Sequence, residues 1–207
     1  MIKRIFNFFS NNNNYILENS DLFPLKIGNS WLCTINAYDK SNNNIFIDSY
    51  GNKYPYDTNL RVISEFSTRE GKVFFLQLES KQDKHLIYFL KKNDGYYVGE
   101  KSYSEINFFS QPLFIYPVKK HLKYNFLSDR IEVLSTNEMI SVPAGTFKCY
   151  SYQIKSIHPY EPLLIRYLSP GIGEIKIVTI LPSILNEQFI NSKIVKLDTV
   201  LKSYKIL

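Results

Sequence analysis

Long hydrophobic runs are missing from this chain of 207 residues. No uncharged apolar stretch approaches the roughly 20 residues that a membrane-spanning helix needs, so the sequence excludes an integral membrane protein. Hydrophobic residues make up 44% of the chain and charged residues 21%, which is typical of a globular protein. This balance excludes a disordered or collagen-like chain.

Cysteine is scarce as well. Cys33 and Cys149 stand far apart in the sequence and form neither a C-x-x-C motif nor a Cys/His cluster. Two cysteines in a chain of this size do not make a disulfide framework, and we expect buried free thiols. A pairing between the two stays open, because it would need only that their strands be neighbours.

Arginine is rare among the positive charges. Lysine and arginine total 25 against 19 acidic residues, which gives a formal charge of +6 and a pI near 9.1, but only five of the 25 are arginine. The abundant lysine, asparagine, isoleucine, tyrosine and phenylalanine all use A/T-rich codons, which explains the basic balance without a functional cause. Arginine is the residue favoured for contacts to phosphates and bases. Cytosolic nucleic-acid binding is therefore kept only as a second alternative.

Motifs for catalysis and for cofactors are absent. The chain has no P-loop, no G-x-G-x-x-G, no G-x-S-x-G elbow and no EF-hand loop. Its three histidines have no partner at metal-ligand spacing and are His85, His121 and His158. Isolated carboxylates occur along the predicted strands and turns at Glu65, Glu70, Glu79 and Asp83. We predict no enzyme and no catalytic, cofactor-binding or metal-binding residues, although a carboxylate pair assembled by the fold would leave no sequence pattern.

The N-terminus has the positive start of a secretory signal peptide but lacks a long enough apolar stretch. Lys3 and Arg4 give it a positive start, but the apolar stretch that follows is about five residues long and contains Asn7. A signal peptide needs roughly 7–15 apolar residues and a small-residue cleavage site. We predict that residues 1–20 form an N-terminal arm, which could be the remnant of a leader. The compartment stays open at this point.

From Trp31 onward the spacing of turn-forming residues is typical of an antiparallel β-protein. Short apolar or alternating runs are separated by Gly, Pro, Asn and Asp at intervals of about 8–14 residues. The predicted strands are Trp31–Tyr38, Ile45–Tyr50, Arg61–Phe66, Lys72–Glu79, His85–Lys91, Tyr96–Lys101, Pro112–Tyr116, Lys123–Phe126, Ile131–Leu134, Phe147–Ile157, Leu163–Leu168, Gly173–Ile180 and Lys193–Ile206. With no linker between two halves, residues 21–207 are predicted to form a single antiparallel β domain.

Alternation is clearest in Phe147–Ile157. Tyr152 and Ile154 fall on one face of this strand, and Cys149 and Ser151 fall on the other. Such a period of two predicts a half-buried strand with one solvated face.

Turn and helix signals complete the prediction. Lys92–Gly95 fits a tight hairpin, Ser169–Ile172 a type II turn, and Val142–Gly145 a type I turn between two strands. Helix signals are sparse, with Pro182–Phe189 and Asn14–Leu22 as the candidates. The predicted fold class is all-β with minor α, a sheet accompanied by one or two short helices.

Three stretches in order carry a family resemblance. Phe23–Trp31 has the form F-P-L-x-x-G-x-x-W, Val142–Phe147 has the form V-P-A-G-x-F, and Pro170–Gly173 has the form P-G-x-G. In this order and at these separations they resemble a group of uncharacterised bacterial secreted proteins and lipoproteins. The resemblance implies a single strongly curved antiparallel sheet, similar to the LolA-like half-barrels, and an envelope or extracellular context. It implies no catalytic residues.

Aromatic residues make up 15% of the chain and can be interpreted in two ways. They pack the sheet in the ordinary manner, or they line an apolar cleft that holds an acyl chain or hydrophobic peptide. Our first functional hypothesis is a non-enzymatic envelope- or surface-associated β-domain that acts by binding or assembly, with a partner protein or hydrophobic ligand on its concave face. The alternative is a lipid or lipoprotein carrier. A carrier needs a cavity of roughly 300 Å³ or more, whereas an assembly module needs a filled interior and an exposed apolar patch or edge strand.

Overall fold

The computed structural model of the chain describes residues 21–47, 51–81, 83–102, 105–182 and 194–207. These residues form fourteen antiparallel strands, and the described ranges contain no helix. The bounds are β1 Ser30–Tyr38, β2 Asn44–Ile45, β3 Tyr56–Ser67, β4 Lys72–Glu79, β5 Lys84–Lys92, β6 Gly95–Ser102, β7 Glu105–Phe108, β8 Phe114–Ile115, β9 Lys123–Phe126, β10 Asp129–Val142, β11 Gly145–Ser156, β12 Leu163–Ser169, β13 Gly173–Ile180 and β14 Lys196–Lys205. The predicted arm at 1–20 lies outside the described residues. So do the two predicted helices, apart from Asp21, Leu22 and Pro182, which are not helical.

All fourteen strands belong to one sheet, with β1 and β14 at its centre. From β1 the order runs through β3, β4, β5 and β6 to β7, and from β14 it runs through β13, β12, β11 and β10 to β9. The C-terminal strand therefore lies beside the first one, and Trp31 is opposite Tyr204 on one side and Leu60 on the other. Within the described ranges the outer strands β7 and β9 do not pair with each other, so the sheet is open.

Strong curvature brings the two halves of this sheet face to face. β6 and β11 are eight strand positions apart, which would be roughly 38 Å in a flat sheet. The two-residue β8 nevertheless pairs with β6, where Gly95 is opposite Ile115, and the Tyr152 hydroxyl of β11 donates a hydrogen bond to the Ile115 carbonyl at 3.0 Å. Because so short a strand touches both, the sheet is rolled. The predicted all-β fold with one curved antiparallel sheet is confirmed.

Two irregular segments, 21–29 and 109–118, fill much of the concave side. The Phe23 ring of the first segment lies 5.6 to 5.9 Å from the rings of Phe89, Tyr96 and Phe114. Phe114 also packs on Tyr152 at 5.2 Å. Apolar side chains from both halves of the sheet join them in one buried cluster. Loops, rather than helices, therefore cover the described interior.

Several predicted boundaries and turns agree with the structure. Three strands match residue for residue, namely Lys72–Glu79, Lys123–Phe126 and Gly173–Ile180. In the predicted type II turn, Gly171 has a φ of +78° and the Ile172 N–H donates to the Ser169 carbonyl at 3.0 Å. Val142 and Gly145 pair across the predicted β10–β11 turn. Of the predicted strand Ile45–Tyr50, only Ile45 belongs to a strand, and residues 48–50 lie outside the described ranges.

Several strands differ from the prediction, and β3, for example, begins at Tyr56 instead of Arg61. β7 was not predicted, and β10 spans 14 residues where only Ile131–Leu134 was expected. The polar run that begins at Ser135 resembles a turn, but the strand continues through it with register shifts between Val133 and Ser135 and between Ser135 and Glu138. Bulges of this kind bend a strand without ending it.

The interpretation of β11 as half-solvated was wrong. Cys149 and Ser151 are fully buried, and so is Tyr152 on the opposite face. The bulged β10 allows the β10–β11 hairpin to reach β14, where the Ala144 N–H donates to the Leu201 carbonyl at 3.2 Å. Because this long hairpin packs back onto the sheet, β11 is covered on both faces.

Candidate ligand cavity

A cavity of about 330 Å³ lies on the concave side, between the two halves of the sheet. Apolar side chains of β3 to β6 form one wall, namely Leu60, Leu78, Ile87, Phe89 and Val98. Ile177 of β13 belongs to the facing wall, and the irregular segments contribute Phe23 and Leu113. The cavity therefore lies inside the curved sheet and is lined mainly by apolar groups.

Strand alternation places the lining side chains. Trp31, Cys33 and Ile35 occupy every second position of β1, and all three line the cavity. On β5, Ile87 lines it, whereas the preceding Leu86 is 50% exposed. Trp31 is the only tryptophan of the chain, so the tryptophan fluorescence comes from a residue in the cavity wall.

One ion pair stands in the cavity wall. Arg166 of β12 donates two hydrogen bonds to Glu174 of β13, from Nε to Oε1 at 2.6 Å and from Nη2 to Oε2 at 3.0 Å. The two side chains are only 19% and 16% exposed. The guanidinium group also lies 4.8 Å from the centre of the Phe114 ring. This bidentate pair, stacked on an aromatic ring, is held in a fixed orientation.

A β-bulge explains how Glu174 reaches Arg166. Tyr167 is opposite Lys176, but Leu168 is opposite Glu174, so Ile175 is the extra residue in β13. A bulge re-aims the side chains beside it. Glu174 therefore lines the cavity, while its neighbour Ile175 is buried in the core.

The Cys33 thiol in the same wall is protonated at neutral pH. Burial raises its pKa from 9.0 to about 12, and the negative charges of Glu174 and then Asp57 add to this shift. A thiol with so high a pKa is a poor nucleophile and a poor metal ligand. Cys33 and Cys149 are both free, and no group of three His, Cys, Asp or Glu side chains within the described ranges could hold a metal ion.

The histidines and the basic run lie on the surface. His85 is 3.9 Å from Asp83, with side chains that are 63% and 69% exposed. His121 has a φ of +67° in the turn before β9, inside the exposed run Lys119–Lys123. His158 is exposed in the turn after β11. None of these residues lines the cavity.

The aromatic side chains that suggested a cleft mostly pack the interior instead. Tyr96, Phe114 and Tyr152 are buried around Phe23 and do not line the cavity. From the segment 109–118, Leu113 is the residue that lines the cavity. The apolar cavity exists, and the aromatic side chains in its wall are Phe23, Trp31 and Phe89.

The outer face of the sheet carries a second apolar cluster. Val73, Leu90 and Tyr97 are buried there, with Phe75 and Phe108 packed against them. Nearby side chains on this half of the sheet stay exposed, namely Ile63 at 44%, Phe66 at 43% and Leu86 at 50%. Exposed apolar side chains thus remain on β3 and β5 of this half of the sheet.

Sequence reasoning missed the Arg166–Glu174 pair. The available signal was a single arginine within the otherwise apolar run Leu163–Leu168. Nothing in the sequence indicated that Glu174 is its partner. Simple alternation along β13 places Glu174 and Ile177 on opposite faces, whereas the bulge allows both to line the cavity.

Comparisons with solved structures show a shared fold. A candidate lipoprotein from Parabacteroides distasonis ATCC 8503 is 17% identical, with a TM-score of 0.52 over 90% of this chain and 99% of that one. A candidate exported protein with a YmcC-like fold from Bacteroides fragilis NCTC 9343 is 12% identical, with the same TM-score and the same coverage of both chains. No protein-family model and no curated protein sequence matches the chain. The described part of the chain has no helix long and apolar enough to cross a bilayer.

Proposed function

We propose that this protein is a non-enzymatic, envelope-associated β-domain that binds a hydrophobic ligand inside its curved sheet. The observation that carries the proposal is the cavity of about 330 Å³ on the concave side, whose walls are mainly apolar. Its volume is at the lower end of the range of roughly 300–1,000 Å³ for ligand pockets. The envelope context is supported by the two structural neighbours, a candidate lipoprotein and a candidate exported protein, and by the three motifs that resemble secreted and lipoprotein families.

A dye titration tests the binding proposal. N-phenylnaphthylamine is neutral and apolar, and energy transfer from Trp31 to the dye would report its entry into the cavity. We expect saturable quenching of Trp31 in the wild-type protein. Ile87→Phe places a larger ring in the cavity and should weaken binding at least about tenfold, because the dye and the ring compete for the same volume.

Leu86→Phe is the matched control. It introduces the same ring at the neighbouring position of β5, where the side chain is exposed and outside the cavity. We expect its dye affinity to equal that of the wild type. Equal weakening in both variants, or no saturable quenching at all, would contradict a ligand site in this cavity.

Native mass spectrometry tests whether a ligand stays bound during purification and gives its mass. A stoichiometric adduct of a few hundred daltons that organic extraction removes would support a carrier of lipid or lipoprotein acyl chains. A bare mass of 24.3 kDa alongside dye binding would instead favour a transient ligand.

A second function, assembly with a partner protein, is favoured by the exposed patch on the outer face. Phe66 lies 5.5 Å from Phe75, ring to ring, yet remains 43% exposed. Sedimentation of the wild type and of Phe66→Ser over a range of concentrations tests this function. Self-association that the substitution abolishes would support assembly in which the partner is a second copy of this chain, and a monomer at all concentrations would contradict that form of assembly.

A further inference from the structure

We propose that the cavity takes an uncharged single-chain amphiphile, whose polar end accepts a hydrogen bond from Arg166. This inference rests on the proposed binding function and adds the chemical class of the ligand. It follows from the charge balance of the wall, from the free donors of Arg166 and from the size of the cavity.

The wall is electrically balanced before any ligand arrives. Arg166 and Glu174 are the only charged side chains among the described residues that line the cavity, and they neutralise each other in a bidentate pair. A ligand with a charged head would add an unpaired charge to mainly apolar surroundings. Desolvating an unpaired charge is costly, whereas a neutral polar group loses much less on entry.

Arg166 retains donors that point away from Glu174. Its Nε and Nη2 atoms serve the carboxylate, and among the described residues Nη1 has no hydrogen-bond partner. The Phe114 ring lies against the guanidinium group and fixes its plane. Thr58 and Thr199, which carry hydroxyl groups, also line the cavity. These groups suit an alcohol or an ester carbonyl, which accept hydrogen bonds without carrying charge.

The volume of the cavity suits a ligand with one aliphatic chain. At about 330 Å³ the cavity is near the minimum for a small-molecule site, so a lipid with two acyl chains exceeds it. Small side chains such as Cys33 and Val98 leave room for a single aliphatic chain along the walls.

Three ligands of equal chain length test the inference in the wild-type protein. Decanol, decanoate and decylammonium differ only in the charge of the head, and each is titrated against bound N-phenylnaphthylamine with Trp31 as the reporter. We expect decanol to displace the dye at concentrations at least about tenfold lower than either charged ligand. Lowering the pH until decanoate is protonated should bring its affinity close to that of decanol. This arm needs no variant.

Glu174→Gln then tests the source of the selectivity. The substitution keeps the shape of the side chain but leaves the Arg166 charge unbalanced, so decanoate should gain at least about tenfold relative to decanol. Glu132→Gln is the matched control, because Glu132 pairs with Lys123 at 3.2 Å and does not line the cavity. Its ligand preference should equal that of the wild type.

The outcomes separate this inference from the proposed function. If the dye binds but decanoate competes as well as decanol, or if no decyl ligand competes, the inference is overturned and the binding function stands. If the dye does not bind either, the binding function itself fails. If Glu174→Gln does not fold, the charge series and the pH arm in the wild type still decide the question.

Discussion

Phe114 of β8 is a side chain whose removal should strongly destabilise the fold. It is fully buried, and its ring contacts Phe23, Tyr152 and the Arg166 guanidinium group, which come from three separate parts of the chain. Phe114→Ala should lower the free energy of unfolding by about 3–5 kcal/mol, since truncating a buried phenylalanine loses its transfer energy and leaves a cavity. For a protein of this size, this corresponds to a fall in Tm of about 6–20 °C.

Urea unfolding followed by Trp31 fluorescence measures this loss, because Trp31 is only 2% exposed in the folded protein. Phe46→Ala is the matched control, since Phe46 is 66% exposed and its truncation should change stability by no more than about 0.5 kcal/mol. A loss below about 1 kcal/mol for Phe114→Ala would refute the conclusion that β8 joins the two halves of the sheet.

Three further predictions concern a glycine, a thiol and two tyrosines. Gly173 has a φ of +97°, and a Cβ there would lie 3.2 Å from the Phe23 ring, so Gly173→Ala should cost about 1–3 kcal/mol in thermal or urea unfolding. Gly51→Ala, at a φ of +81° with open space around it, should cost less, and equal losses would show that the contact is unimportant. Since the Cys33 pKa rises from 9.0 to about 12, alkylation at pH 8 should be about a thousandfold slower in the folded protein than in urea, one factor of ten for each pH unit. Comparable rates in both states would contradict this burial. Burial also raises the pKa of Tyr96 and Tyr152 above 10.0, so the unfolded state releases these protons first and stability should be lost as the pH rises through 10. Thermal melts from pH 8 to pH 11 with tyrosinate absorbance measure this, and a Tm that stays constant would refute it.

Local chemistry made part of the fold predictable. The turn at Ser169–Ile172 depends on Pro170 and Gly171 alone, and the ends of β13 follow from Gly173 and the apolar run after it. Such features need no information from distant residues. The all-β class and most strands could therefore be predicted from local patterns, whereas the single curved sheet was implied by the family resemblance.

The features that could not be predicted depend on contacts between residues that are distant in the sequence. Ser135 lies in a polar run that resembles a turn, and only the register with β11 reveals a bulged strand. Cys149 is buried because the hairpin packs on β14, which the alternation of β11 does not encode. Glu174 meets Arg166 through the bulge at Ile175. In each case the alternation of residues in the sequence assumes a regular strand. The β-bulges and the packing they allow change the direction or the burial of the side chains.

The cavity itself argues for a ligand when its energetic cost is considered. A void in an apolar interior destabilises a protein by about 24 cal/mol per Å³, so 330 Å³ corresponds to at most about 8 kcal/mol. That upper bound is comparable to the whole stability of a typical domain, about 5–15 kcal/mol. Larger side chains at Cys33 and Val98 would fill part of this space, as Phe114 and Tyr152 fill the interior elsewhere. Stabilising substitutions of this kind are readily available to most proteins and are avoided where they impair function. A ligand that fills the cavity would recover the lost contacts, which is the energetic reason for the proposed binding function.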